Sequence, residues 1–128
     1  MTYHFSKTIA ASFDSAIQHV IEALTREGFG VLTDIDVKAT MKKKLDVDFR
    51  NYRILGACNP PLAHKALQLE DKVGTMLPCN VVVQDVGGDK VEVSAVDPVA
   101  SMQAIDNPRL ADVAKTVQAK LKAVIDGL

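Results

Sequence analysis

The sequence predicts an α+β fold in which helices pack on a mixed or largely antiparallel sheet of about five strands. Segments with alternating apolar and polar residues are interleaved with segments whose apolar residues recur every three or four positions. Residues 85–89 hold two glycines between two alternating segments, which is typical of a β-hairpin. A doubly wound parallel sheet fits less well, because parallel neighbours cannot be joined by so tight a turn. The predicted order is β-α-β-α-β-α-β-β-α.

The first strand and first helix are predicted over residues 3–27. Tyr3, Phe5 and Ile9 alternate with polar residues, as in a strand with one buried face. Ser12 can cap a helix whose apolar stripe runs from residue 13 to 24. Glu27 and Gly28 are predicted to close this helix.

A second strand and a short basic helix are predicted next. Residues 30–35 form the strand, and Asp36 is placed to cap a helix that extends through Lys44. The apolar stripe of this segment is thin, so a loop is the alternative interpretation.

The centre of the chain predicts a third strand over residues 52–58 and a helix over residues 60–71. Pro78 then introduces a fourth strand that begins at Cys79, and residues 91–95 alternate as a fifth strand.

Three predicted helical segments start in the same way, with a capping side chain followed by proline. Proline suits the first helical position, and Asn or Asp is a favoured cap. The pairs are Asn59-Pro60, Asp97-Pro98 and Asn107-Pro108. The second pair begins a short turn or helix, and the third begins a long helix with a continuous apolar stripe. A capping role is therefore sufficient to explain the presence of Asn59 at this position.

Size and charge exclude several classes of protein. The chain has 128 residues, of which 48% are hydrophobic, so residues 1–128 are predicted to form a single domain with its own core. The formal net charge is −1, which gives no general attraction to polyanions. We therefore expect no nucleic acid and no membrane among the partners.

Hydropathy and cysteine usage predict a cytoplasmic location. The longest aliphatic cluster, residues 81–83, is far shorter than a membrane span. The start of the sequence has no basic segment followed by a long apolar one, as a signal peptide would. Two cysteines are too few for a disulfide-stapled secreted scaffold, so reduced thiols are expected.

The two cysteines form the candidate thiol site. Cys58 comes one residue before a predicted cap, where free amides and the helix dipole attract negative charge. Cys79 opens the strand after that helix, and a spacing of this kind matches neither a zinc ribbon nor a C-x-x-C redox pair. Buried packing of both thiols is the alternative. His64 could join Cys58 and Cys79 as a third soft metal ligand, although a single histidine on a helix is more often a surface residue.

A basic stretch provides a second candidate site. Six basic residues face only two acidic ones between residues 38 and 53, which would suit a small anion such as phosphate or carboxylate. Its candidate ligand-binding residues are Asp34, Asp36 and Lys38. Asn59 and Asn80, which directly follow the two cysteines, complete the candidate set. The alternative is an ordinary solvated face.

No catalytic residue, cofactor or reaction is predicted, so whether the chain is an enzyme stays open. The sequence has no G-x-S-x-G nucleophile elbow and no P-loop.

Two stretches resemble a known family. They are "GFGVLTDIDVKATMKKKLDVDFRNYRILGACNPPLAHKAL" and "LPCNVVV", and the likeness to the domain of unknown function 302 family of prokaryotic proteins covers nearly the whole chain. The resemblance implies a small α/β domain, commonly a homodimer, without an established activity or catalytic residues.

Three functional hypotheses follow. The favoured one is a non-enzymatic homodimer that binds a small molecule or an anion near Asp34, Lys38, Cys58 and Cys79. The second is a thiol or metal site with redox or transfer chemistry at Cys58 and Cys79. The third is a dimeric interaction module in which the long final helix packs against a partner subunit and both cysteines are core residues.

Overall fold

The computed structural model describes residues 2–128 and confirms the α+β class. The strands are β1 (His4–Ala10), β2 (Gly30–Asp36), β3 (Tyr52–Cys58), β4 (Cys79–Gly87) and β5 (Lys90–Val96). The helices are α1 (Phe13–Arg26), α2 (Val37–Leu45), α3 (Pro60–Leu69), α4 (Pro98–Ser101) and α5 (Ala111–Asp126). Short 3-10 segments at Asp71–Met76 and Pro108–Leu110 connect them.

The five strands form one sheet in the order β1-β5-β4-β3-β2, and every neighbouring pair is antiparallel. Of the two predicted possibilities, the sheet is therefore the antiparallel one. The first two strands of the chain lie at its two edges, and β2 carries a bulge at Leu32 between its paired residues Val31 and Thr33.

The predicted hairpin joins β4 to β5. Its two turn residues, Gly88 and Asp89, have φ angles of 62° and 57°. Positive φ at both central residues defines a type I′ turn, whose twist matches that of the flanking strands. The glycine and the aspartate are residue types that adopt this conformation at low cost.

The helices and the sheet form two layers with the core between them. Buried apolar residues alternate along the central strands, as Val81 and Val83 do on β4. They pack against the buried stripes of α1 and α5, which include Leu24 and Leu121. The opposite face, called the uncovered face, carries Ile54, Val82 and Ser94, which are only half-buried, and α2 has no buried residue.

The capping predictions are confirmed at each helical start. Asp36 Oδ1 accepts a hydrogen bond from Ala39 N at 2.9 Å, and Asn59 Oδ1 accepts one from Leu62 N at 3.4 Å. The final segment differs in detail, because Asn107 caps a 3-10 turn and the α-helix begins only at Ala111. Asn107 Nδ2 also donates to Leu69 O at 2.8 Å, which holds this start against the end of α3.

Replacement of Asp97 by alanine is expected to lower the free energy of unfolding by about 1 to 2 kcal/mol. Asp97 Oδ1 accepts from Val99 N at 3.0 Å and from Gln118 Nε2 at 3.0 Å, so it caps α4 and joins it to α5. Urea unfolding measures the change. Gln118→Ala loses only the second bond and serves as the control; a D97A variant no less stable than Q118A would contradict this double role.

Candidate functional site

An apolar cavity of about 310 Å³ lies beside the last residues of β3 and the first residue of β4, which are paired at one end of the sheet. Leu62 and Ala66 of α3 form one wall, and Ala114 and Val117 of α5 contribute to another. None of the described residues that line it carries a charge. The volume lies at the lower end of the range of about 300 to 1,000 Å³ that is typical of small-molecule sites.

Both cysteines line this cavity. Ala57 pairs with Cys79 in the β3–β4 ladder, and Cys58 is the next residue and the last of β3. The thiols are free; Cys58 is half-buried, whereas Cys79 is only 6% exposed. The structure therefore brings the two predicted thiols to one site.

Burial decides the charge state of the Cys79 thiol. Removal from water, with a smaller contribution from the charge of Cys58, raises the pKa of Cys79 to about 11. The Cys79 thiol is therefore protonated and uncharged at neutral pH, like the rest of the lining.

Asn59 is the polar side chain of the cavity, apart from the two thiols. Its Oδ1 caps α3, while its Nδ2 has no hydrogen-bond acceptor among residues 2–128. The Nδ2 atom lies 3.1 Å from the point that a Cβ on Gly28 would occupy. Gly28 also has a φ of +84°, so this position favours glycine for both reasons. Asn59 thus combines its predicted capping role with a free donor beside the cavity.

The basic stretch lies outside the cavity lining. Arg53 donates to Asp34 through Nε at 2.7 Å and through a second, shorter contact, and this pair raises the pKa of Arg53 above its already high value. Asp36 caps α2, and Lys38 is exposed on that helix. Both candidate carboxylates are therefore engaged within the chain, and the anion site proposed there stays a prediction.

The remaining candidates are not brought to the cavity. His64 is exposed on α3, and Asn80 lies in a shallow groove on the uncovered sheet face. Within residues 2–128, no three His, Cys, Asp or Glu side chains are close enough together to hold a metal ion.

Sequence reasoning missed the contributions of α5 and of the segments that follow α1 and α4 to this site. Phe29, which follows α1, closes one side of the cavity, and Met102 and Ala114 come from the last quarter of the chain. The only signal for a space here is the alanine content of the facing helices, where Ala63, Ala66 and Ala114 all line the cavity. Small side chains at facing positions leave room that larger ones would fill.

No helix in the described part of the chain is sufficiently long and apolar to span a membrane.

Comparisons with known proteins agree with this fold. The chain is similar to the crystal structure of an uncharacterized conserved protein, DUF302, from Bacillus stearothermophilus, with a TM-score of 0.90 and 28% sequence identity. The similarity covers 98% of each chain. No curated protein matches the sequence. The model of the family described as "Domain of unknown function DUF302" matches residues 5–128. The chain therefore belongs to the DUF302 family.

Proposed function

We propose that this protein is a small-molecule-binding domain whose ligand is uncharged and largely apolar and occupies the cavity between α3 and α5. The observation that carries the proposal is a space of about 310 Å³ with a lining of aliphatic, aromatic and thiol side chains. An apolar cavity of about 150 Å³ already binds benzene, so this one, about twice as large, has room for a compound of two or three rings or for a short branched chain.

The lining selects against charged ligands. A buried ion without a partner is costly, and the lining residues provide no counter-charge. An anion would have to bind outside the cavity, near Lys38, where the neighbouring carboxylates Asp34 and Asp36 already have partners. The uncharged ligand is the better fit to this lining, and Asn59 Nδ2 could donate one hydrogen bond to orient it.

Binding without turnover fits the lining better than catalysis. General acid–base chemistry needs a carboxylate, imidazole or amine within reach of the reacting atoms. The described lining residues contain none of these groups, and the buried Cys79 thiol is protonated at neutral pH.

The uncharged probe N-phenyl-1-naphthylamine tests the proposal by fluorescence and thermal shift. Ala114→Leu fills the cavity from its wall and is expected to abolish probe binding, whereas Ala119→Leu, exposed on the same helix, should bind like the native chain. Binding to the folded native chain should also raise its melting temperature. A native chain that neither enhances probe fluorescence nor shifts its melting temperature, or an A114L variant that binds normally, would refute the proposal.

We also propose that two copies of the chain pack through the uncovered sheet face. This face carries Ile54 and Val82, which are half-buried, and Ile35, which is 49% exposed. Its acidic side chain Glu92 accepts a hydrogen bond from Gln84 Nε2 at 3.2 Å, and Gln84 Oε1 accepts one from Arg50 Nε at 2.9 Å, so this network contains one charge of each sign. A two-fold interface places the same patch of both copies in contact. A face with little unbalanced charge suits this contact, because like charges would otherwise meet.

Sedimentation velocity tests the dimer. Val82→Glu on this face is expected to produce a monomer, because it would bury two like charges at the two-fold contact. Val86→Glu, on the exposed hairpin end of the same strand, should leave the dimer intact. A native chain that sediments as a monomer at micromolar concentration would exclude this arrangement.

We propose the cytoplasm of a prokaryotic cell as the location. Cys58 and Cys79 are both free, as is usual for thiols in a reducing compartment. Cell fractionation would test this, and recovery with the periplasmic fraction would contradict it.

A further inference from the structure

We propose that the cavity opens past Met102 into a neighbouring side groove, and that the ligand is an elongated, uncharged molecule with an apolar part in the cavity and a polar end in the side groove. The inference rests on the proposed binding function and adds the shape and polarity of the ligand.

The side groove lies across a thin partition from the cavity. Its volume is about 360 Å³, and its lining residues fall between position 99 in α4 and position 115 in the first turns of α5. Met102 and Ala114 line both the cavity and the side groove, so these two residues form the partition. A ligand that passed the partition would gain about as much space again as the cavity alone provides.

The partition contains one adaptable side chain. Methionine is unbranched and has three rotatable bonds, so it adapts its shape more readily than a branched side chain. The backbone of Met102 is held on both sides, because its N–H donates to Pro98 O at 3.1 Å and its carbonyl accepts from Ile105 N at 3.0 Å. Rotation of the side chain alone would therefore open the passage, without movement of α4 or α5.

The side groove differs from the cavity in polarity. Part of its lining is apolar and includes Leu110, which is buried, and Ile105, which is half-buried. Its exposed lining residues include Gln103, Asp106 and Lys115, which are one neutral side chain and one charge of each sign. These side chains offer hydrogen-bond donors and acceptors without a net charge. The side groove therefore suits an uncharged polar group such as a hydroxyl or a carbonyl.

The contrast between the two linings predicts how the ligand is oriented. Burial of a polar group in the cavity would leave hydrogen-bonding atoms unpaired, which is costly. The same group in the side groove keeps partners among the exposed side chains and in water. The apolar ring or chain therefore occupies the cavity, and the polar end remains on the far side of Met102.

The uncharged dyes prodan and laurdan test the inference. Both carry the same naphthalene fluorophore with a carbonyl and a dimethylamino group, but prodan has a short propionyl chain and laurdan a long dodecanoyl chain. Prodan should bind in the cavity alone, whereas laurdan should place its chain in the cavity and its more polar fluorophore in the side groove. Emission of this fluorophore moves to longer wavelength in polar surroundings, so bound laurdan should emit at longer wavelength than bound prodan.

Ala111 offers the variant that separates the two spaces. It is exposed at the start of α5 and lines the side groove but not the cavity, so Ala111→Phe fills the side groove alone. Laurdan should bind this variant about tenfold more weakly, since burial of two methylene groups already corresponds to a factor of this size. Prodan should bind it as it binds the native chain. Ala119→Phe, exposed on the same helix outside both linings, is the control and should bind both dyes normally.

Met102→Ala tests the partition directly. It removes the side chain that must rotate, so laurdan should bind this variant more tightly than the native chain. Weaker binding of laurdan to the folded M102A chain would overturn the role of Met102. An A111F variant that binds laurdan normally, or bound laurdan that emits like bound prodan, would overturn the extension into the side groove while the binding function stands. If neither prodan nor N-phenyl-1-naphthylamine binds the native chain, the binding function fails, and the extension fails with it.

Discussion

Gly56→Ala is expected to lower the free energy of unfolding by about 2 to 3 kcal/mol, because the added methyl group has no room in the folded chain. A Cβ at Gly56 would lie 2.1 Å from Thr33 Oγ1 and 2.6 Å from Pro78 Cγ. The hydroxyl could rotate away, but the threonine methyl group would then approach the same space. The proline ring cannot rotate away, so β3 must shift relative to its neighbours. Urea unfolding measures the loss, and a decrease of roughly 10 °C in melting temperature should accompany it.

The control for Gly56→Ala is the same substitution at Gly30. Gly30 lies on β2 and pairs with Cys58, and a Cβ added there would meet no atom within 4 Å. Gly30→Ala is therefore expected to be neutral or to stabilise the chain by about 0.4 to 1 kcal/mol, since alanine restricts the unfolded state. Because Pro78 lines the cavity, Gly56→Ala should also weaken binding of the naphthylamine probe. Equal stability of the two variants would show that the sheet accommodates a side chain at Gly56.

Alkaline pH is expected to destabilise the protein through Cys79. The ordinary thiol pKa of 9.0 is raised to about 11 in the folded chain, mainly by burial. The unfolded chain therefore loses this proton first, and unfolding releases a proton between these two pH values. The stabilisation is fully present below pH 9 and is lost as the pH rises through about 11. Two pH units correspond to a loss on the order of 2 to 3 kcal/mol.

Urea unfolding between pH 8 and pH 11 measures this loss. All other ionisable groups are common to the native chain and to Cys79→Ala. The difference in slope between the two proteins therefore isolates the buried thiol, and C79A should be the flatter. Cys58→Ala should keep most of the native slope, because burial is the larger cause of the shift. Parallel curves for the native chain and C79A would contradict a buried, protonated thiol.

Local patterns were sufficient to predict most of the fold. Alternation, the Asx-Pro starts and the two glycines of the hairpin act over a few residues, and the elements that they predict are present at nearly the predicted bounds. The strand order depends on which apolar faces meet, so the sequence left a mixed sheet possible. The late start of α5 depends on the contact of Asn107 with Leu69, which are far apart in sequence.

The candidate site was predicted only in part. Cys58 and Cys79 were identified as unusual from their sequence context, and the β3–β4 register places both residues at the end of the sheet that borders the cavity. Asp34 and Asp36 were candidates because of their type, but their hydrogen bonds with Arg53 and Ala39 arise only in the folded chain. The cavity itself has no local signature, since it is a space between α3 and α5, which are far apart in sequence.

The pairing of the first strand with the last affects how this chain folds during its synthesis. His4 pairs with Val96, so β1 has no partner on the sheet until the ribosome has synthesised β5. Contacts between residues so far apart in sequence slow folding, and unpaired strand edges promote aggregation in the meantime. During synthesis β1 therefore remains unpaired, and Phe5 and Ile9 remain exposed, until the residues of β5 have been added. A chain truncated before residue 90 would lack β5 and leave β1 permanently without its neighbour in the sheet.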